Sequence, residues 1–142
     1  MRKLIKIESM IEELDDTGLC ESSERQDNTY AADVCDLGHY ITIAYTDEQE
    51  CGTTETEITV IEDAVRVMRR GAVESVFNFK EGLAESSLYK SAGYAFDAEI
   101  YTRKIRNNLT RVEGSLTIFY DMTVGGAKKR VRMKIITGEV CE

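Results

Sequence analysis

Residues 116–136 read LTIFYDMTVGGAKKRVRMKII, and this stretch decides the fold. Two alternating runs, Leu116 to Val124 and Ala127 to Ile136, flank the dipeptide Gly125-Gly126. Glycine takes the positive φ angles of a primed two-residue hairpin turn at little cost, so the pair marks a fold point. Folding there sets Leu116 opposite Ile135, Ile118 opposite Met133 and Tyr120 opposite Val131. The other face pairs Asp121 with Arg130 and Thr117 with Lys134. One fold point thus yields an apolar face and a charge-paired face. That combination specifies register, because a slip of one residue would exchange the faces.

The same test succeeds upstream in TTETEITVIEDAVRVMRRG, residues 53–71. Folding about Glu62-Asp63 brings Val60 opposite Val65, Ile58 opposite Val67 and Thr56 opposite Arg69. The second face pairs Thr59 with Arg66 and Glu55 with Arg70, and Gly71 ends the strand. A half-buried antiparallel pair explains both faces. Between the hairpins, Ser75 to Lys80 and Glu85 to Lys90 read as short strands around Glu81-Gly82. After the Ala92-Gly93 turn, Tyr94, Phe96, Ala98 and Ile100 alternate against Asp97 and Glu99. Arg103 to Arg111 reads as a basic, irregular connection.

Toward the N-terminus, His39 to Thr46 alternates with Ile41, Ile43 and Tyr45 on one side, and residues 29–35 form a weaker strand. Residues 2–11 are a first strand with mixed faces. Residues 12–27, EELDDTGLCESSERQD, are acidic and poor in large apolar side chains, and they read as an exposed loop. Proline, which cannot donate to a strand ladder, is absent from the chain. About 8–10 strands with regular turns predict an all-β, closed or nearly closed antiparallel up-and-down barrel. Closure removes exposed edges.

The 142 residues fit a single domain spanning positions 1–142, with no apolar run long enough for a membrane helix. Lys6 and Glu8 interrupt any apolar leader, so a cytoplasmic protein is expected. In that compartment Cys20, Cys35, Cys51 and Cys141 are expected to be reduced thiols. The net charge of −8 is uneven, with 4 basic and 13 acidic residues in positions 1–50 against 14 and 13 in positions 51–142. Such acidity works against binding a phosphate backbone, so nucleic acid is not the expected partner.

The order of HYITIAYT, TTETEITVIED, VRVMRRG, LYKSAGYAFDAEIYTRKI and GSLTIFYDMTVGGAKKRVRMKI resembles the YwiB-like family of bacterial proteins of unknown function. The resemblance covers roughly residues 38–136. It implies a calycin-like, lipocalin-like β-barrel and supplies no reaction, cofactor or catalytic residue. The chain departs from the family at the Ala92-Gly93 turn, where the family tends to carry proline, and in its long acidic first loop.

Candidate chemistry is sparse. Cys35 and His39 supply a nucleophile and a base, but four positions along a strand lie about 13 Å apart. A surface histidine at a strand start is the preferred reading. Cys20, Cys35, His39 and Cys51 are zinc-type ligands without the short Cys-x2–4-Cys spacing of a knuckle. Glu12, Glu13, Asp15, Asp16 and Gly18 lack the alternating ligand positions of a calcium loop. No catalytic residue, metal ligand or cofactor is assigned.

Two surfaces remain. Arg103, Lys104, Arg106 and Arg111 join Lys128, Lys129, Arg130, Arg132 and Lys134 in a basic outer face around Phe119. That face suits a protein or RNA partner, although ion pairs such as Asp121–Arg130 also account for it. Arg69 falls on the apolar face of its hairpin, beyond Val65 and Val67, and so points inward or to the barrel mouth. An inward arginine suits the carboxylate of a ligand, whereas a structural arginine would bond strand carbonyls instead. The leading expectation is a non-enzymatic barrel taking a small hydrophobic or amphipathic ligand. Tyr45, Phe96, Tyr120 and Met133 would contact that ligand and Arg69 would orient it.

Overall fold

The structure, a computed structural model, describes residues 1–49, 52–110 and 113–140. Ten strands follow one another: β1 (Arg2–Leu14), β2 (Cys20–Asp36), β3 (Ile41–Gln49), β4 (Gly52–Ile61), β5 (Ala64–Gly71), β6 (Val73–Lys80), β7 (Ala84–Ser91), β8 (Tyr94–Asn107), β9 (Gly114–Val124) and β10 (Ala127–Val140). Each pairs antiparallel with its sequence neighbours, and β1 also pairs with β10, closing the barrel. Among the described residues there is no helix, and so none long and apolar enough to cross a membrane.

Both hairpin registers are as the sequence predicts. Leu116 faces Ile135, Ile118 faces Met133 and Tyr120 faces Val131, with Gly125 and Gly126 at φ 58° and 83°. Arg130 Nε lies 3.2 Å from an Asp121 carboxylate oxygen. Thr56 faces Arg69 and Glu55 faces Arg70, with Glu62 in the left-handed region at the turn.

The acidic stretch is a correction. Residues 12–27 are the upper part of a long β1–β2 hairpin, not a loop, and its ladder runs to Leu14 opposite Cys20. Every residue from Cys20 to Thr29 is exposed, so no apolar alternation marks the strand. Its turn is set by Asp15, one of whose oxygens accepts from the Thr17 and Leu19 amides at 2.9 Å each and from the Thr17 hydroxyl. Those donors hold the Asp15 carboxyl below its usual range, the Thr17 hydroxyl contributing most. The basic stretch after Thr102 is likewise strand, continuing to Asn107 through a bulge between Thr102 and Lys104. The extra residue shifts the inward parity from Ile100 and Thr102 to Ile105, which breaks the alternation that sequence reading relies on.

The lower half of the barrel is filled by its own side chains. Ile5, Ile43, Leu116, Ile118 and Ile135 are fully buried there beside Val34, Ile58 and Phe79. Lys3 lies at this end, 2% exposed, with its ammonium 3.8 Å from Glu113. Two ladders are short. β2 and β3 pair only between Asp33–Asp36 and Ile41–Ala44, leaving them apart toward the upper end. β6 and β7 pair only at Val73–Ser91 and Glu74–Lys90, and below that an Asn78–Glu85 side-chain bond of 2.9 Å joins them.

Candidate functional site

Inward alternation continues above the apolar core, but the residue types change. On β3 the series Ile43, Tyr45 moves on to Asp47 and Gln49. On β4, Thr56 and Thr54 follow Ile58. On β5, Arg69 follows Val67. On β2, Gln26, Asn28 and Tyr30 lie above Ala32. The upper members of these series, from Tyr30, Tyr45, Thr56 and Arg69 onward, line a cavity of about 270 Å3 at the upper mouth with Ser9, Tyr89 and aliphatic groups from Ile7, Val73 and Met133. The position where β2 leaves β3 opens the wall beside it.

Two aromatic rings organise the mouth. Tyr30 and Tyr45 stack with centroids 4.4 Å apart. The Tyr30 hydroxyl donates to Asp47 Oδ2 at 3.3 Å, and Gln49 Nε2 donates to the same oxygen at 3.1 Å. The Tyr45 hydroxyl lies in hydrogen-bonding reach of Thr56 and Arg69. Burial, reinforced by the Asp47 charge, pushes the Tyr30 phenol up to about 12. Burial also raises Tyr45, opposed by the Arg69 guanidinium. All three phenols that feel Arg69, including the buried Tyr120, are therefore neutral donors at ordinary pH.

Arg69 has no ion pair among the described residues. Directly across the β5–β6 ladder stands Ser75, 5% exposed, whose hydroxyl has no hydrogen-bond partner among the described residues. A half-buried guanidinium without a counter-ion and a buried hydroxyl without a partner thus share one inward face.

The five residues expected to meet a ligand are not all brought together. Tyr45, Arg69 and Met133 line the mouth cavity. Tyr120 lies deeper, tilted against Phe79 at 4.8 Å between centroids, under the influence of Arg69. Phe96 does not line that cavity. It is 42% exposed and stacks on Tyr94 at 6.3 Å. The physical reason is strand length. β8 pairs with β9 only from Ala98 onward, so Phe96 has inward parity on a segment that rises past the barrel wall. Asp47, Tyr30, Gln26 and Asn28 escaped sequence reading. The first two were findable by continuing the Ile43–Tyr45 and Val34–Ala32 alternations.

Elsewhere, Cys20 and Cys35 are free and exposed, whereas Cys51, Cys141 and Arg111 lie outside the described residues. No group of three metal-ligating side chains occurs among the described residues. On the outer face, the Arg106 guanidinium sits 5.5 Å over the Phe119 ring, and a groove of about 420 Å3 brings Arg103, Arg130 and Arg132 around Phe119.

The uncharacterized beta-barrel protein YwiB of Bacillus subtilis (strain 168) is 31% identical over 97 residues, covering 68% of each chain. The crystal structure of ywiB protein from Bacillus subtilis superposes with a TM-score of 0.67 at 25% identity, covering 97% of this chain and 94% of that one. The family described as "Domain of unknown function (DUF1934)" matches residues 5–135, almost the whole barrel from Ile5 to Ile135. The chain belongs to that family.

Proposed function

We propose that the protein is a non-enzymatic, calycin-like binding module of the bacterial cytoplasm whose barrel mouth takes a small amphipathic carboxylate. The observation that carries this reading is Arg69, an inward guanidinium lining a concave site without a counter-ion among the described residues. A charge in that position costs desolvation that an anionic ligand offsets, and guanidinium matches carboxylate geometry in two parallel bonds. Ile7, Val73 and Met133 supply an aliphatic wall for a short apolar portion. The cavity of about 270 Å3 suits a compact ligand, because the core beneath it is filled.

Calorimetric titration with 4-methylpentanoate and its primary amide tests the reading. The acid is expected to bind, the amide to bind at least about tenfold more weakly, and Arg69→Met to remove the difference. Equal binding of acid and amide, or none by either, overturns it. Native mass spectrometry after gentle purification provides a second check through a retained anionic ligand.

A second reading uses the outer face as an RNA-interaction surface, favoured by the Arg103, Arg130 and Arg132 groove around Phe119. Binding of a single-stranded oligonucleotide that weakens with salt and with Arg132→Ala would support it. Binding indifferent to both would remove it.

A further inference from the structure

Arg69 and Asp47 line the same cavity, yet they form no ion pair with each other or with any other described residue. Opposite charges in a shared concavity attract strongly once water is displaced. Here each has other groups beside it. Asp47 is fixed through Oδ2 by the Tyr30 hydroxyl and the Gln49 amide, while its other oxygen accepts no hydrogen bond from a described residue. Arg69 has the Tyr45 hydroxyl within hydrogen-bonding reach. The stacked Tyr30–Tyr45 pair lines the same cavity beside both charges.

We infer that the ligand of the mouth is a small zwitterion of amino-acid size, its carboxylate on Arg69 and its ammonium on Asp47. The inference rests on the carboxylate-binding reading above and adds the second charge. A fixed cation and a fixed anion that face one cavity without touching present a dipole. A ligand carrying the opposite dipole satisfies both at once, whereas a simple anion leaves Asp47 as a repelling neighbour. The aliphatic groups of Ile7, Val73 and Met133 then meet a short apolar side chain.

Deletion of one charge at a time tests it. Valine, leucine, isoleucine and methionine are titrated calorimetrically, each beside its counterpart lacking the amino group and its counterpart lacking the carboxylate. At least one amino acid is expected to bind about tenfold or more tightly than its deaminated acid, and its decarboxylated amine is expected not to bind. Asp47→Asn retains the acceptor for Tyr30 and should erase the advantage of the amino acid, weakening the amino acid and relieving the repulsion on the deaminated acid, which should bind no more weakly than before. Arg69→Met should weaken both. Unfolding curves of each variant confirm that the barrel is intact. If the deaminated acids bind as well as the amino acids or better, the zwitterion inference fails and the carboxylate reading stands. If neither series binds, both fail.

Discussion

Tyr30 and Tyr45 stack at 4.4 Å where β2 and β3 no longer share a ladder, so a side-chain contact replaces main-chain bonding at the mouth. The Tyr30 hydroxyl extends the link to Asp47. Tyr30→Phe keeps the stack and loses that donor, which should cost about 1 kcal/mol. Tyr30→Ala also loses the ring and should cost about 2–4 kcal/mol. Urea unfolding measures both. Equal losses for the two variants would mean that the stack contributes nothing to holding β2.

The same phenol sets a pH dependence. Tyr30 rises from an ordinary value of 10.0 to about 12, and burial raises Tyr45 and Tyr120 as well. The unfolded chain therefore loses these protons first. Stability contributed by the neutral phenols is fully present below about pH 10 and falls as pH rises through about 12. Spectrophotometric titration should show a late-ionising tyrosine fraction that shrinks in Tyr30→Phe. If every tyrosine titrates near its ordinary value, the mouth is wetter than the packing indicates.

Legibility in the sequence followed solvent exposure. The hairpin at Gly125-Gly126 and the one at Glu62-Asp63 were readable to the residue because one face is buried and the other sets opposite charges in register. The strand from Cys20 to Thr29 was unreadable because water reaches both of its faces, leaving polar residues in every position. Arg69 was legible since its register partner, Thr56, fixed its parity. Asp47 sits in the run DEQE, whose composition mimics a loop although the strand continues to Gln49. Phe96 lies outside the cavity lining despite its parity, because alternation tells which way a side chain points and not whether a wall stands opposite.

The filled lower half predicts ordinary core behaviour. Ile118 is fully buried and faces Met133 across the β9–β10 ladder. Ile118→Val should cost about 0.5–1.5 kcal/mol and Ile118→Ala about 2–5 kcal/mol. By contrast the Asp121–Arg130 pair, with side chains 38% and 42% exposed, should show a coupling below about 1 kcal/mol in a double-mutant cycle. Denaturant midpoints at constant m-value report all of these. A coupling larger than the Ile118→Val loss would mean that the outer face, rather than the core, holds this hairpin.

Gly71 ends β5 two residues after Arg69, with φ at +113°. A Cβ at this position would collide with the Thr53 carbonyl, which accepts the Ala72 amide at 3.0 Å. The neighbouring Val73 amide donates to the Thr54 hydroxyl at 3.2 Å, so the whole β4–β6 corner depends on that close approach. Gly93 offers the contrast, since its φ of +81° is similarly left-handed but a Cβ there meets nothing within 4 Å. Gly93→Ala should lose only the backbone cost of about 1 kcal/mol. Gly71→Ala adds the collision and should lose clearly more, through separation of β5 from the β4 edge. Because Arg69 and Thr54 flank this corner of the mouth, Gly71→Ala should also weaken carboxylate binding while Gly93→Ala leaves it unchanged. Comparable stability losses in the two variants would show that the Thr53 carbonyl yields freely and that the corner does not position Arg69.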